Sequence, residues 1–420
     1  MKKNFYMQKI GEKARIASSK LNKVNIDKRN SVLKKYIQYL RTYEKLILKA
    51  NNKDILNAKF KKINESMISR LKLDNKKIKQ IRNSIKKIIK FKDPVNKTLA
   101  SWKRPNGLLI KKITIPIGVI GVIYESRPNV TSDVSSLCFK SGNAVILRGG
   151  SEALNSNLIL AKLFKKALKN KNCDENCVQF IKYKDRKHVD YLLSSMKQYV
   201  DLIIPRGGKN LVKKVLKKST VPIVGHYEGI CHVYIDREAD LKTSIKIVNN
   251  SKMRNVSICG AAETLLIDRA CLKTHCKPIL NNLKNLGCKI IGDRKIKKFI
   301  SEKIKIASKK DWGTEYLSPT ISVKTVNGVR GAIDHINQYG SSHTDSIVTR
   351  NKKTAKKFLL NVKSSIAIHN ASTQFADGGE FGFGSEVGIS TSKLHPRGPI
   401  GLDQLTTYKY ILKGFGQTRK

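Results

Sequence analysis

Ala144-Val-Ile-Leu-Arg-Gly-Gly-Ser151 is the stretch that decides the fold. A short apolar run bounded by glycines reads as a buried strand, and Ser151-Glu152 then opens a helical pattern that runs to Leu168, with Ser151 as its cap. The same unit recurs on either side. Ile113 to Tyr124, Val178 to Ile181, Val200 to Ile204 and Val221 to Val224 read as strands, while Thr131 to Lys140, Arg186 to Met196 and Asn210 to Lys217 read as helices. Such alternation predicts an α/β fold, a parallel sheet with helices on both faces and nucleotide binding at the carboxyl ends of its strands. Two turns suit an anion, Arg148-Gly149-Gly150-Ser151 and Pro205-Arg206-Gly207-Gly208-Lys209, because each sets glycine and a cation at a helix N-terminus. Gly118-Val-Ile-Gly121 lacks the dinucleotide fingerprint and lies within a strand.

Upstream, Ile10 to Phe91 shows helical spacing with lysine-rich outer faces, ended by Asp93-Pro94. Asn106-Gly107 between strand-like flanks marks a hairpin that leaves the main body as an arm. From Glu228 a second strand and helix block begins, and the glycine-rich Asp377 to Gly384 reads as a site loop. Gln404 to Leu412 reads as a terminal strand, which with the hairpin predicts strand exchange between subunits.

The net charge of +53 raises a nucleic-acid partner. The excess is mostly lysine, spread over nearly every helix face beside abundant Asn and Ile, as drift toward A- and T-rich codons produces. Aromatics make up only 7%, too few to interleave a stacking surface; no specific nucleic-acid partner is expected. No apolar run is long enough to span a bilayer, and the eight cysteines lack the spacing of a secreted disulfide framework, so a cytoplasmic protein with reduced thiols is expected. Cys173 with Cys177, and Cys271 with His275 and Cys276, have no second pair at zinc spacing, so no metal is expected. His226, His232 and His395 read as packing or hydrogen-bonding residues.

In the second block, Asn250 to Asp268 sets Cys259 between a helical pattern, Asp240 to Lys252, and a buried strand, Glu263 to Asp268. Ser257, Gly260, Ala261 and Ala262 leave little bulk around its sulfur. A substrate can therefore reach it, but the default reading of a lone cysteine is a buried small hydrophobe, and this stretch alone does not make it catalytic.

Six strings carry a family likeness: Pro116 to Thr131 (PIGVIGVIYESRPNVT), Lys140 to Glu152 (KSGNAVILRGGSE), Cys259 to Leu266 (CGAAETLL), Gly378 to Gly382 (GGEFG), Gly388 to Thr391 (GIST) and Leu394 to Pro399 (LHPRGP). They resemble the gamma-glutamyl phosphate reductases (glutamate-5-semialdehyde dehydrogenases) of the aldehyde dehydrogenase superfamily. A common family form has proline before the cysteine and asparagine after it, where this chain has Arg254-Asn-Val-Ser-Ile-Cys-Gly260.

The resemblance implies two parallel-sheet α/β domains and a β arm: a nucleotide-binding domain over 1–98 and 113–227, a catalytic domain over 228–390, and an oligomerisation arm from 99–112 and 400–420. It implies NADPH-dependent reduction of L-glutamyl 5-phosphate to L-glutamate 5-semialdehyde, the second step of proline synthesis, with Cys259 as nucleophile. Arg148, Gly149, Gly150, Ser151, Arg206, Gly207 and Gly208 are expected to hold the cofactor, with Glu315 at the nicotinamide ribose. Arg127 and Asn129 are read either as binding the oxyanion or phosphate or as only shaping the strand-to-helix turn, and a local cation such as Arg254 or a backbone N–H is expected to help ionise the thiol. Further copies of the chain and a separate glutamate 5-kinase are the implied partners. The rival readings are a polyanion-binding protein on an inactive dehydrogenase scaffold and a hydrolytic aldehyde dehydrogenase.

Overall fold

A computed structural model describes residues 4–300 and 304–419. The chain divides into two compact units, Met1–Gly225 with Gly382–Gly388 and Ile400–Lys420, and His226–Phe381 with Ile389–Pro399. The division falls between Gly225 and His226, and the chain returns to the first unit for a short segment before its final strand.

The first unit opens with five helices, α1 (Phe5–Leu21), α2 (Ile26–Thr42), α3 (Glu44–Phe60), α4 (Glu65–Leu71) and α5 (Asn75–Lys90). A hairpin of β1 (Thr98–Lys103) and β2 (Leu109–Pro116) follows, and β3 (Val119–Tyr124) leads into α6 (Asn129–Lys140). Next come β4 (Ala144–Arg148), α7 (Leu154–Asn170), β5 (Val178–Phe180), α8 (Arg186–Ser194), β6 (Leu202–Arg206) and α9 (Lys209–Lys218). The parallel sheet has order β5-β4-β3-β6. Its strands are apolar on both faces, as a doubly covered sheet requires. Ile120, Val122, Val145, Leu147, Leu202 and Ile204 pack toward α2, α5, α6 and α7. Val119, Ile123, Ile146 and Ile203 pack toward α1, α8 and α9.

The structure departs from two expectations. The run read as one strand over Ile113 to Tyr124 is two, broken at Gly118 with φ of +131°. A Cβ at Gly118 would lie 2.2 Å from Asp201 Oδ2, the oxygen that accepts from Val119 N at 2.7 Å, so only glycine admits the carboxylate that starts β3. Nor does Ser151 cap α7. Residues Ser151–Ala153 form a 3₁₀ turn without a side-chain cap, and Asp54 on α3 instead accepts from Asn155 N at 3.1 Å and Ser156 N at 2.7 Å.

The second unit contains β7 (Cys231–Ile235), α10 (Leu241–Met253), β8 (Ala262–Asp268), α11 (Lys277–Asn285), β9 (Lys289–Gly292), α12 (Arg294–Lys297) and β10 (Lys305–Ile306). It continues through β11 (Thr320–Val326), α13 (Gly328–Tyr339), β12 (Thr344–Val348), α14 (Lys352–Asn361) and β13 (Ile366–His369). These seven strands form one parallel sheet of order β10-β9-β11-β8-β7-β12-β13. Val233, Ile235, Leu265, Ile267, Ile321 and Val323 face α10 and α11, and Tyr234, Leu266 and Ile347 face α13 and α14. A short ladder of β14 (Ile389–Ser390) and β15 (Gly398–Pro399) completes this unit.

The last strand, β16 (Thr406–Lys413), pairs antiparallel with β2 in the same chain, giving a sheet of order β1-β2-β16 within the first unit. Leu99, Trp102, Tyr408, Tyr410 and Leu412 are exposed on it. No helix among the described residues is long and apolar enough to cross a membrane.

Candidate active site

Cys259 lies on the connection from α10 to β8, and both ends of that connection are fixed. Asp240 caps α10 by accepting from Thr243 N at 2.9 Å. At the far end of the helix Lys252 Nζ meets Glu263 Oε2 on β8 at 2.6 Å, with both side chains fully buried. The 372–374 turn braces the connection from the side: Gln374 Nε2 donates to Ser251 O at 2.9 Å, and Thr373 N donates to Ser251 Oγ at 3.1 Å. Against β7 the approach is closer still. A Cβ on Gly229 would fall 2.3 Å from Cys259 O and 2.7 Å from Cys259 Cβ, so glycine at 229 is what lets the cysteine sit at the foot of β7. Cys231 Sγ donates to Cys259 O at 3.1 Å and holds it there.

Two imidazoles flank the sulfur. Ligating atoms of His226, Cys259 and His343 lie within 4.8 Å of one another. The rings of His226 and His343 meet edge to face, with centroids 5.1 Å apart and planes at 81°. His226 Nδ1 donates to Ile389 O at 2.8 Å, since a carbonyl only accepts, and this places the lone pair of the neutral ring on Nε2. His343 is wholly buried, with Nδ1 2.9 Å from Thr344 Oγ1 and 3.6 Å from Cys231 Sγ.

Burial pushes the Cys259 thiol up, but the charge and hydrogen bonding of His343 and His226 outweigh it and hold the thiol well below its ordinary range. The other seven cysteines, all free, are pushed upward, chiefly by burial. Cys259 is therefore the thiol poised to react. The expected cation is not Arg254, whose side chain is exposed and whose Nε donates to Gln374 Oε1 at 2.8 Å. His226 hydrogen-bonds as expected, and it also stands beside the sulfur. Among the described residues this is the one group of three convergent His, Cys, Asp or Glu donors. A closed structural zinc site takes four protein ligands.

Glu315 comes to the same place. Its Oε1 accepts from Gly229 N at 2.9 Å, and burial raises its carboxyl above the usual range, with the charge of Cys259 adding to the rise. Glu228 stands close enough to contribute as well.

The glycine turns of the first unit are built around carboxylates. Glu125 Oε2 accepts from Gly208 N at 2.8 Å at the start of α9, and a Cβ on Gly207 would lie 2.6 Å from that oxygen. At the other turn a Cβ on Gly150 would lie 2.0 Å from Glu152 Oε1, which accepts from Ser126 N and Oγ at 2.8 and 2.6 Å. Ser151 is exposed beside it. Arg148 is buried; its guanidinium donates to Gly149 O and, at 3.1 Å, to Lys184 O, while Nε is buried without a partner. Arg206 pairs with Glu386 at 3.2 Å. Asn129 opens α6 and donates to Asp133 Oδ2 at 3.0 Å, and Arg127 precedes it in the same turn. Asp133 is half-buried, and its desolvation raises its carboxyl to about 6.

Nothing in the spacing of Cys259, His226 and His343 along the chain announces their meeting. Each stands just ahead of a strand, Cys259 before β8, His226 before β7 and His343 before β12, and β8, β7 and β12 are adjacent parallel neighbours. Parallel strands start at one edge of a sheet, so residues that precede neighbouring strands gather there. A polar, reactive residue ahead of each strand was the available signal, and the strand order needed to use it was not.

The family profile described as "Aldehyde dehydrogenase family" matches residues 4–297. The gamma-glutamyl phosphate reductase of Parvibaculum lavamentivorans is 46% identical over 98% of this chain and 97% of its own length. That of Bartonella quintana is also 46% identical, over 98% of this chain and all of its own. The crystal structure of gamma-glutamyl phosphate reductase from Thermotoga maritima superposes with a TM-score of 0.96 at 39% identity, covering 99% of this chain and 100% of that one. An acetylating aldehyde dehydrogenase from Geobacillus thermoglucosidasius, at 16% identity and a TM-score of 0.70 over 99% of this chain and 98% of its own, shares the fold. The chain belongs to the aldehyde dehydrogenase family, in its gamma-glutamyl phosphate reductase branch.

Proposed function

We propose that this oxidoreductase reduces L-glutamyl 5-phosphate to L-glutamate 5-semialdehyde with NADPH, through a thioester on Cys259, as the second step of proline synthesis. The observation that carries the reading is the placement of Cys259 between the imidazoles of His226 and His343, which hold its thiol well below the ordinary range while every other cysteine is pushed up. An acyl phosphate is already activated, so the thiolate attacks the acyl carbon, a C–S bond forms, and the C–O bond to phosphate breaks. When bound, the nicotinamide supplies the hydride that reduces the thioester. The resulting hemithioacetal collapses to the aldehyde and returns the thiolate at Cys259. Phosphate, not water, is the partner of acylation, so Glu228 is not needed as a water-activating base.

The residues proposed for the cofactor are Arg148, Gly149, Gly150, Ser151, Arg206, Gly207 and Gly208, with Glu315 at the nicotinamide ribose. The unpartnered Nε of Arg148 supports the fit, and a phosphate at Gly150 or Gly207 would have to displace the Glu152 or Glu125 carboxylate that now fills each turn. The charges of Glu152 and Arg186 both act on Arg148. The guanidinium of Arg148, with Arg186 beside it, is the cation proposed to favour the 2′-phosphate of NADPH. Arg127, Asn129 and Arg254 are proposed for the oxyanion, the phosphate and the remainder of the substrate.

The test is the reverse reaction. Glutamate semialdehyde and NADP should give NADPH absorbance only when inorganic phosphate is present. Oxidation at the same rate without phosphate would make the chain a hydrolytic aldehyde dehydrogenase, and no oxidation under either condition would favour an inactive scaffold.

A further inference from the structure

Acylation requires that a proton leave the Cys259 thiol and that the departing phosphate gain one, since an unprotonated phosphate would leave with three negative charges. Resting on the thioester reading above, we propose that His226 carries that proton: Nε2 takes it from Sγ and delivers it to the phosphate oxygen as the C–O bond breaks, while His343 is a positioning residue. Thiol and acyl phosphate dianion thereby become thioester and hydrogen phosphate, with one proton moved and none drawn from solvent. After hydride reduction, collapse of the hemithioacetal leaves a thiolate, and one proton from water resets the pair. That matches the single proton the overall reduction consumes.

The geometry separates the two imidazoles. The Nδ1 hydrogen bond of His226 to Ile389 O fixes the tautomer with its lone pair on Nε2, and the same carbonyl stabilises the ring once it is protonated. His226 is half-buried, so a ligand reaches it. His343 is wholly buried, packed edge-on to His226, and engaged through Nδ1 with Thr344, which suits it to hold the first ring and the sulfur but not to hand a proton to a leaving group. The other titratable groups around the sulfur do not serve. Cys231 has its thiol pushed well up by burial and donates to Cys259 O. Glu315 is committed to Gly229 N, and Glu228 acts on it from beside. Asp345 is bound to His232 N and Nδ1.

The experiment uses the whole chain and two readouts. Iodoacetamide alkylation of Cys259, which needs no acyl phosphate, is followed against pH in the wild type, His226→Asn and His343→Asn. Asparagine keeps a donor near the Nδ1 position and so preserves the link to Ile389 O while removing the base. In His226→Asn the alkylation midpoint should move up toward the ~8.5 of a free thiol, and kcat should fall by about 10²–10⁴-fold, the usual worth of a positioned acid–base group, with KM little changed. Its kcat/KM profile should lose the alkaline limb that reports the imidazolium. His343→Asn should lower kcat but keep that limb. Added imidazole should partly restore His226→Ala. An unshifted alkylation midpoint and an intact alkaline limb in His226→Asn would overturn the proposal, as would loss of the limb in His343→Asn instead. Because alkylation is read without substrate, these outcomes are separate from failure of the thioester reading, which would show as retained turnover in Cys259→Ser.

Discussion

Replacing Lys252 by methionine tests the support beneath the nucleophile. Lys252 lies in the last turn of α10 and Glu263 is the second residue of β8, so their 2.6 Å ion pair ties together the two elements that carry the Cys259 connection. Both side chains are fully buried, and Glu263 Oε1 also accepts from Leu317 N at 3.2 Å. Methionine fills much the same volume but leaves a carboxyl with no cation. Breaking a buried pair in this way costs about 3–5 kcal/mol, a large share of the roughly 5–15 kcal/mol that holds a domain folded. The pH dependence has a definite sign. Burial raises the Glu263 carboxyl from 4.5 to about 7 against the pull of Lys252, so the unfolded chain ionises first and the wild type loses stability as pH rises to about 7, then levels. Without the lysine the carboxyl rises further, and the variant keeps losing about 1.4 kcal/mol per pH unit where the wild type has levelled. Urea denaturation from about pH 6 to 9 should therefore show a gap that widens above about pH 7. Lys252→Met with Glu263→Leu should recover most of the loss, because a buried pair is replaced by apolar groups at little cost. A gap that stays flat across that range, or a double variant no more stable than the single one, would refute the reasoning.

Cys259→Ser should nearly abolish reduction while NADPH binding persists; retention of more than about a tenth of turnover, equivalent to under ~1.4 kcal/mol of barrier, would rule out the thioester. Iodoacetamide should label Cys259 ahead of the seven thiols that burial keeps neutral, and substrate should protect it. Arg148→Ala should raise the KM for NADPH more than that for NADH, and equal losses would remove Arg148 from selecting the 2′-phosphate. Light scattering at micromolar concentration should show an oligomer, built on the exposed aromatic and leucine side chains of the β1-β2-β16 sheet; a monodisperse monomer would count against it.

The sequence by itself determined the α/β class, because apolar runs of strand length alternating with helical spacing have few other packings. It also singled out Cys259, which small residues surround and which precedes a strand buried along its whole length. Where a single backbone torsion or a distant side chain intervened, the reading from Ile113 to Tyr124 and at Ser151 went astray: Asp201 divides the first through Gly118, and Asp54, far back on α3, takes the capping role of the second. The identity of the groups that ionise the nucleophile was decided by tertiary structure alone. His226 and His343 lie far apart in sequence from each other and from Cys259, and only the strand order β8-β7-β12 brings their positions to one edge. Periodicity along a chain records which face of an element is buried, but it carries no record of which strands become neighbours, and the chemistry at Cys259 depends on that neighbourhood.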